Sequence, residues 1–196
     1  IKSGYIMFAS LVAPITPPYD ADTEALLKKW MPPGAPFEPL SLFRTLAQTP
    51  DLMSAMLPLG AYFLGGQSPL TVRLREILIL RTCTNSGCGY EWGIHATAFG
   101  TAANLSADDI HALHRKGADD DRWTAAEAAA IRLCDALCAG QTADEATKAE
   151  ARAHFDKECL LAITVLTGWY QTVAKVANTC CDGPEAWAGG FPKAAE

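Results

Sequence analysis

Ile77-Leu-Ile-Leu80 is the stretch that most limits the fold. Consecutive apolar residues cover every side of a helix, so a helix that carries them has no face for water and must be surrounded. Glu76 and Arg81 flank the block directly. A charge carried into such an interior is costly unless it is paired and hydrogen-bonded. The chain therefore needs enough neighbouring elements to wrap one helix, and partners for the charges beside its apolar middle. A second near-continuous apolar segment, 159–177, reads as the other central helix.

Turn and cap residues divide the rest. Residues 1–20, with Pro14, Pro17 and Pro18, read as an extended arm, and 22–30 as a short helix ended by Pro32, Pro33 and Pro36. Helices are expected over 39–48, over 50–64 with Thr49 as cap and Pro50 at the first position, over 70–84, and over 88–103. Ser106 is expected to cap a helix to about Lys116. Thr124 with Glu127 and Thr142 with Glu145 read as capping boxes, and Asp156 as the cap of a helix to about Asn178. The tail from Asp182, with Gly183-Pro184, Gly189-Gly190 and Pro192, reads as coil that wraps or trails. No alternating strand pattern of useful length is present, so the fold class is all-α, as one domain over 1–196 with its core at about 40–178.

Composition excludes some function classes. Net charge is −6 and no Lys/Arg cluster occurs, which argues against a nucleic-acid partner. No run of about 18 apolar residues suggests a membrane span. The apolar stretch Tyr5–Ile15 is followed closely by prolines, and a secretory leader is not expected. The seven cysteines are odd in number and show no framework spacing, which fits a reduced, cytoplasmic protein whose cysteines mostly fill space.

One stretch carries chemistry. Cys88-Gly-Tyr-Glu91-Trp-Gly-Ile-His95 places a thiol, a carboxylate and an imidazole on one helical face. A thiol is a nucleophile only as thiolate, and a neighbouring base controls that. A carboxylate one turn from an imidazole can orient it or share its proton. With a turn at Asn85-Ser-Gly87, helices 70–84 and 88–103 form a hairpin that brings Glu76 within reach of His95. The bland alternatives stay open: Glu76 bonds Arg73 or another arginine, and Cys88 is an inert core residue. His111, His114 and His154 read as solvated. Gly168 suggests close helix contact, and Trp169 and Tyr170 beside it read as packing or subunit interface.

Glu76, with Cys88 twelve positions on and His95 seven further, resembles the carboxymuconolactone decarboxylase superfamily, which includes the AhpD-like alkylhydroperoxidases. Their pattern is a Glu on one helix and Cys-x-x-Cys-x-x-x-His on the next. Phe43-Arg-Thr-Leu-Ala, Leu74-Arg-Glu-Ile-Leu-Ile-Leu-Arg81 and Tyr90-Glu-Trp-x-x-His95 are similar to it too. The resemblance covers about 40–175 and implies an AhpD-like helical bundle that assembles as a homo-oligomer, a dimer, trimer or hexamer.

The chain departs from that pattern at one position: Glu91 stands where the dithiol enzymes have their second cysteine. Cys83 is then the nearby candidate for a resolving thiol. Glu91-x-x-x-His95 is also similar to the Glu-x-x-x-His of the decarboxylase members, where a proton shuttle is the natural role. The resemblance therefore implies a peroxidase-like enzyme with a Cys88 thiolate served by His95, Glu76 and Glu91. The alternatives are a non-redox acid/base enzyme, a lactone decarboxylase or isomerase using Glu91 and His95, and a non-enzymatic helical ligand-binding protein. The expected partner is a small molecule, a peroxide or a small carboxylate or lactone. Arg81, Tyr90 and Trp92 are the substrate-binding candidates, with Arg81 or Arg73 holding a substrate carboxylate. No cofactor is expected. Cys88, Glu91 and His95 are all ligand types, but that set on one helix is not a common metal pattern, and no metal is expected.

Overall fold

The computed structural model describes residues 10–32, 34–140, 142–181 and 183–192; residues 1–9 of the expected N-terminal arm lie outside them. Among the described residues the chain is helical, without strands. The α-helices are α1 (Ala21–Trp30), α2 (Ser41–Leu46), α3 (Pro50–Leu64), α4 (Val72–Asn85), α5 (Gly89–Phe99), α6 (Ala107–Arg115), α7 (Ala125–Cys138), α8 (Glu145–His154) and α9 (Lys157–Cys180), with a 3-10 turn at Gly117–Asp119.

α4 lies at the centre, packed against α5, α6, α7 and α9. Ile77, Leu78, Ile79 and Leu80 are all fully buried, as a block with no polar face requires. α9 supplies the second wall: Ala162, Ile163, Leu166, Tyr170, Val173 and Ala177 face inward. By length and hydropathy α9 could also cross a membrane, but the stripe it buries is that of a core helix.

The helix starts follow local hydrogen bonding. Ser106 with Asp109, and Thr124 with Glu127, form complete capping boxes, and Asp156 caps α9 by accepting from the Cys159 N–H. The box expected at Thr142 and Glu145 does not form. Asp144, immediately before the helix, accepts from the Thr147 N–H at 2.7 Å and takes the cap position. Thr49 stands at the N-cap of α3 without a side-chain capping bond, its hydroxyl donating to the Leu46 carbonyl instead, and Pro50 occupies the first helical position. Gly168 does not mark a close contact, because a Cβ there would meet nothing within 4 Å.

The described part of the arm lies along its own chain. The Leu11 N–H donates to the Thr179 carbonyl, and Arg44 Nη1 donates to the Ile15 carbonyl. The tail, 183–192, folds back over α5 and buries Ala188 completely. Gly93 permits this approach: a Cβ there would stand 2.0 Å from the Gly189 carbonyl oxygen. Glu185 fastens the tail by accepting from the Ser41 N–H at 2.6 Å and from the Tyr90 hydroxyl.

Candidate active site

The site is built on the α4–α5 hairpin. Gly87, with φ +60°, closes it in a conformation that glycine adopts without strain. The Gly87 N–H donates to the Thr84 carbonyl at 3.1 Å and the Cys88 N–H to the Cys83 carbonyl at 2.8 Å. This pair of bonds is a Schellman turn. α5 starts at once and runs back along α4, so Glu76 and His95 meet.

Glu76 is fully buried and both of its oxygens are used. Oε2 accepts from His95 Nδ1 at 2.7 Å, and Oε1 accepts from Arg75 Nε at 2.7 Å. Both readings of Glu76 therefore hold at once, with Arg75 rather than Arg73 as the arginine; Arg73 pairs with Glu127. Burial alone would raise the Glu76 carboxyl. The charges and hydrogen bonds of His95 and Arg75 outweigh it and hold the group below the ordinary carboxylate range, so Glu76 is ionised. An ionised Glu76 leaves the proton on His95 Nδ1 and turns Nε2 outward as the working nitrogen. The Tyr170 hydroxyl lies 3.0 Å from that Nε2.

Glu91 is buried one turn from His95, with Oε2 at 3.8 Å from His95 Nε2. Its Oε1 has no hydrogen-bond partner among the described residues. Burial pushes the Glu91 carboxyl up to about 6, against the pull of His95 and with a smaller push from Glu185. This is the environment that places a carboxylate close to the pH at which a general base works best.

A cavity of about 450 Å³ opens onto these groups. Glu91, His95 and Tyr170 contribute to its lining, and apolar side chains from α1, α2, α3, α9 and the tail form most of the rest, Trp30, Phe43, Leu57, Trp169 and Trp187 among them. It has the make-up of a small-molecule site: apolar walls with a few convergent polar groups.

Cys88 is placed differently from the expected thiolate. It is fully buried at the N-cap of α5 and does not line the cavity. Burial raises its thiol, the Glu91 and Tyr90 N–H groups only partly offset this, and the result is about 11. Cys83 is also buried, and burial pushes it well above the ordinary thiol range. Both are free thiols.

The three substrate-binding candidates lie elsewhere. Arg81 is held by Asp135 at 2.6 and 3.0 Å and by the Leu113 carbonyl at 2.7 Å. Tyr90 binds Glu185 and the Leu42 N–H, and Trp92 packs on Phe191. None of the three lines the cavity. His114 is not a free surface residue either: its ring stacks on Phe191 at 4.6 Å. Sequence reasoning missed Arg75 and Tyr170. An arginine adjacent to Glu76 in a buried helix was a usable signal for the first, whereas nothing local distinguishes Tyr170 from its neighbours. Among the described residues no group of three or more His, Cys, Asp or Glu side chains is placed to hold a metal ion.

The same hairpin carries the likeness to known proteins. Residues 50–136 match the family described as "Carboxymuconolactone decarboxylase family", and this stretch contains Glu76, Cys88, Glu91 and His95. Over that stretch, short of half of its length, the chain is similar to the carboxymuconolactone decarboxylase family. Solved structures agree on the fold. An uncharacterized peroxidase-related protein from Silicibacter sp. TM1040 superposes with a TM-score of 0.78 at 17% identity, over 94% of this chain and 96% of that one. The alkylhydroperoxidase AhpD core protein from Ralstonia eutropha JMP134 gives 0.75 at 20% identity, over 91% and 95%. The debrominase Bmp8 in complex with 2,3,4-tribromopyrrole gives 0.76 at 16% identity, over 92% and 94%. No curated protein matches the chain. In fold the chain is thus an AhpD-like bundle in which a carboxylate, Glu91, faces the cavity.

Proposed function

We propose that this protein is a non-redox acid/base enzyme that moves a proton on a small organic molecule, as an isomerase does. The observation that carries this reading is Glu91: a buried carboxylate with an oxygen left unpartnered, raised to about 6, on the wall of an apolar cavity beside His95. At neutral pH Glu91 is the base that takes the substrate proton. His95 is held by ionised Glu76 so that Nε2 faces Tyr170, and this pair supplies the hydrogen bond or proton that the other end of the reaction needs. The apolar walls of the cavity lower the polarity around the reacting atoms, which strengthens each of these contacts.

The thiol-peroxidase reading draws support from the names of the similar structures and from the neighbouring thiols Cys83 and Cys88. It needs a thiolate that meets peroxide, however, and Cys88 is a high-pKa thiol away from the cavity. Decarboxylation of an anionic lactone needs a cation for the carboxylate, and Arg73 and Arg81 are both paired with other carboxylates.

The experiment is proton exchange. 2-Tetralone, a neutral ketone with an acidic C–H, is incubated in heavy water and followed by proton NMR. The wild type should speed deuterium uptake, and Cys88→Ser should match it. Glu91→Gln and His95→Gln should fall at least a hundredfold, the scale of general acid–base catalysis. Equal exchange by wild type and Glu91→Gln would refute the reading, and peroxide consumption lost only in Cys88→Ser would establish the thiol chemistry in its place.

A further inference from the structure

We infer that the cavity selects an uncharged, flat, largely apolar molecule and rejects a carboxylate of the same shape. This names the substrate class and rests on the acid/base reading only for the groups at the cavity floor. Among the lining residues the ionisable ones are Glu91, His95, Tyr170 and Lys29. Lys29 is exposed, at the end of α1 beside the wall residue Trp30. The other arginines of this half of the molecule are already engaged. Arg75 serves Glu76 and lies near the Phe63 and Leu64 carbonyls, and Arg44 donates to the Pro39 and Ile15 carbonyls. An anion that reached Glu91 would therefore meet a like charge there and a second one, Glu76, behind His95. Among the described residues it would find no buried cation free to repay the loss of its water. A neutral ring meets Trp, Phe and Leu walls instead, which suit stacking and apolar burial.

The groups that face Glu91 and bear on its charge are His95 and Cys88 on α5, Cys83 on α4, Tyr170 on α9, Cys181 after α9 and Glu185 in the tail. Only His95 among them can carry a positive charge, and its Nδ1 is already committed to Glu76, so an anion finds no free cation at the floor.

The test uses two probes with one fused ring, 2-naphthol and 2-naphthoate. Binding to the wild-type full chain is measured by tryptophan fluorescence at pH 7.5 and at pH 5. At pH 7.5 the naphthol should bind at least tenfold more tightly. The preference should narrow at pH 5, where Glu91 takes up its proton while the naphthoate stays mostly ionised. Glu91→Gln should show the narrow preference at both pH values, a pattern that the probes' different water affinities cannot produce. The inference is overturned if naphthoate binds as tightly as naphthol at pH 7.5, if neither binds in the millimolar range, or if Glu91→Gln keeps the full pH dependence. Tetralone exchange together with a naphthoate preference would sink this inference alone. A naphthol preference without exchange would sink only the acid/base reading.

Discussion

Replacing Gly93 by Ala should release the tail from α5 and open the cavity wall. The new Cβ would lie 2.0 Å from the Gly189 carbonyl oxygen and 2.8 Å from its carbon, where ordinary contact begins at 3.4 Å. Both atoms are backbone, so no side-chain rotation relieves the overlap, and the tail must move by more than about an ångström. Overpacking of this kind costs ~1–3 kcal/mol. Letting the tail go instead forfeits the two bonds to Glu185, from the Ser41 N–H and the Tyr90 hydroxyl, and the burial of Ala188. Hydrogen bonds to a charged group contribute ~1.5–3 kcal/mol each. Two such bonds make ~3–6 kcal/mol, so strain at the top of its range meets release at the bottom of its own, near ~3 kcal/mol, and the variant should populate a detached tail in part, drawing Trp187 off the cavity. At ~2–4 °C per kcal/mol for a chain of this length, Tm should fall by about 2–12 °C. Calorimetry reads that fall, and hydrogen exchange of amides 183–192 reads the detachment. Gly168→Ala is the control: it has open space and sits inside a helix, so it should leave Tm unchanged or raise it, by up to ~1 kcal/mol of stability. If Gly93→Ala melts within about 1 °C of wild type with unchanged tail exchange, the account of how the tail is held is wrong.

Two further outcomes follow from the charges. Glu91 is raised, so between its unfolded value and about 6 the folded state binds the proton more tightly, and its contribution to stability declines as pH rises through that window. Glu91→Gln should therefore be more stable than wild type at pH 7.5 by ~2 kcal/mol, taking ~1.4 kcal/mol per pKa unit, and the gap should close at pH 4. Urea titrations at the two pH values check this, and a gap independent of pH would contradict it. Arg81→Ala should cost ~1–3 kcal/mol because it strands the Leu113 carbonyl and leaves Asp135 with Asn85 in place of a guanidinium, yet leave tetralone exchange at the wild-type rate. A loss of exchange with full stability would return Arg81 to the site.

Much of this molecule was legible one residue at a time. Helix caps depend on bonds between positions three apart, so Ser106, Thr124 and Asp156 announce their helices, and the slip from Asp144 to Thr142 is an error of two positions in the same local rule. The apolar block of α4 required burial wherever its neighbours came from. Gly87 and the spacing on either side of it brought Glu76 to His95, because a tight helical hairpin leaves little freedom over two turns.

The remainder depends on which surfaces meet. Tyr170 reaches His95 from a helix 75 positions away, and no local rule singles it out. The cavity walls come from α1, α2, α3, α9 and the tail, so neither its apolar lining nor its missing cation can be counted from one segment. Cys88 shows the division best. Its spacing marks it as a nucleophile, but a thiol becomes a thiolate only where water or a charge partner stabilises the anion. Packing gives it neither, and gives the cavity to Glu91 instead.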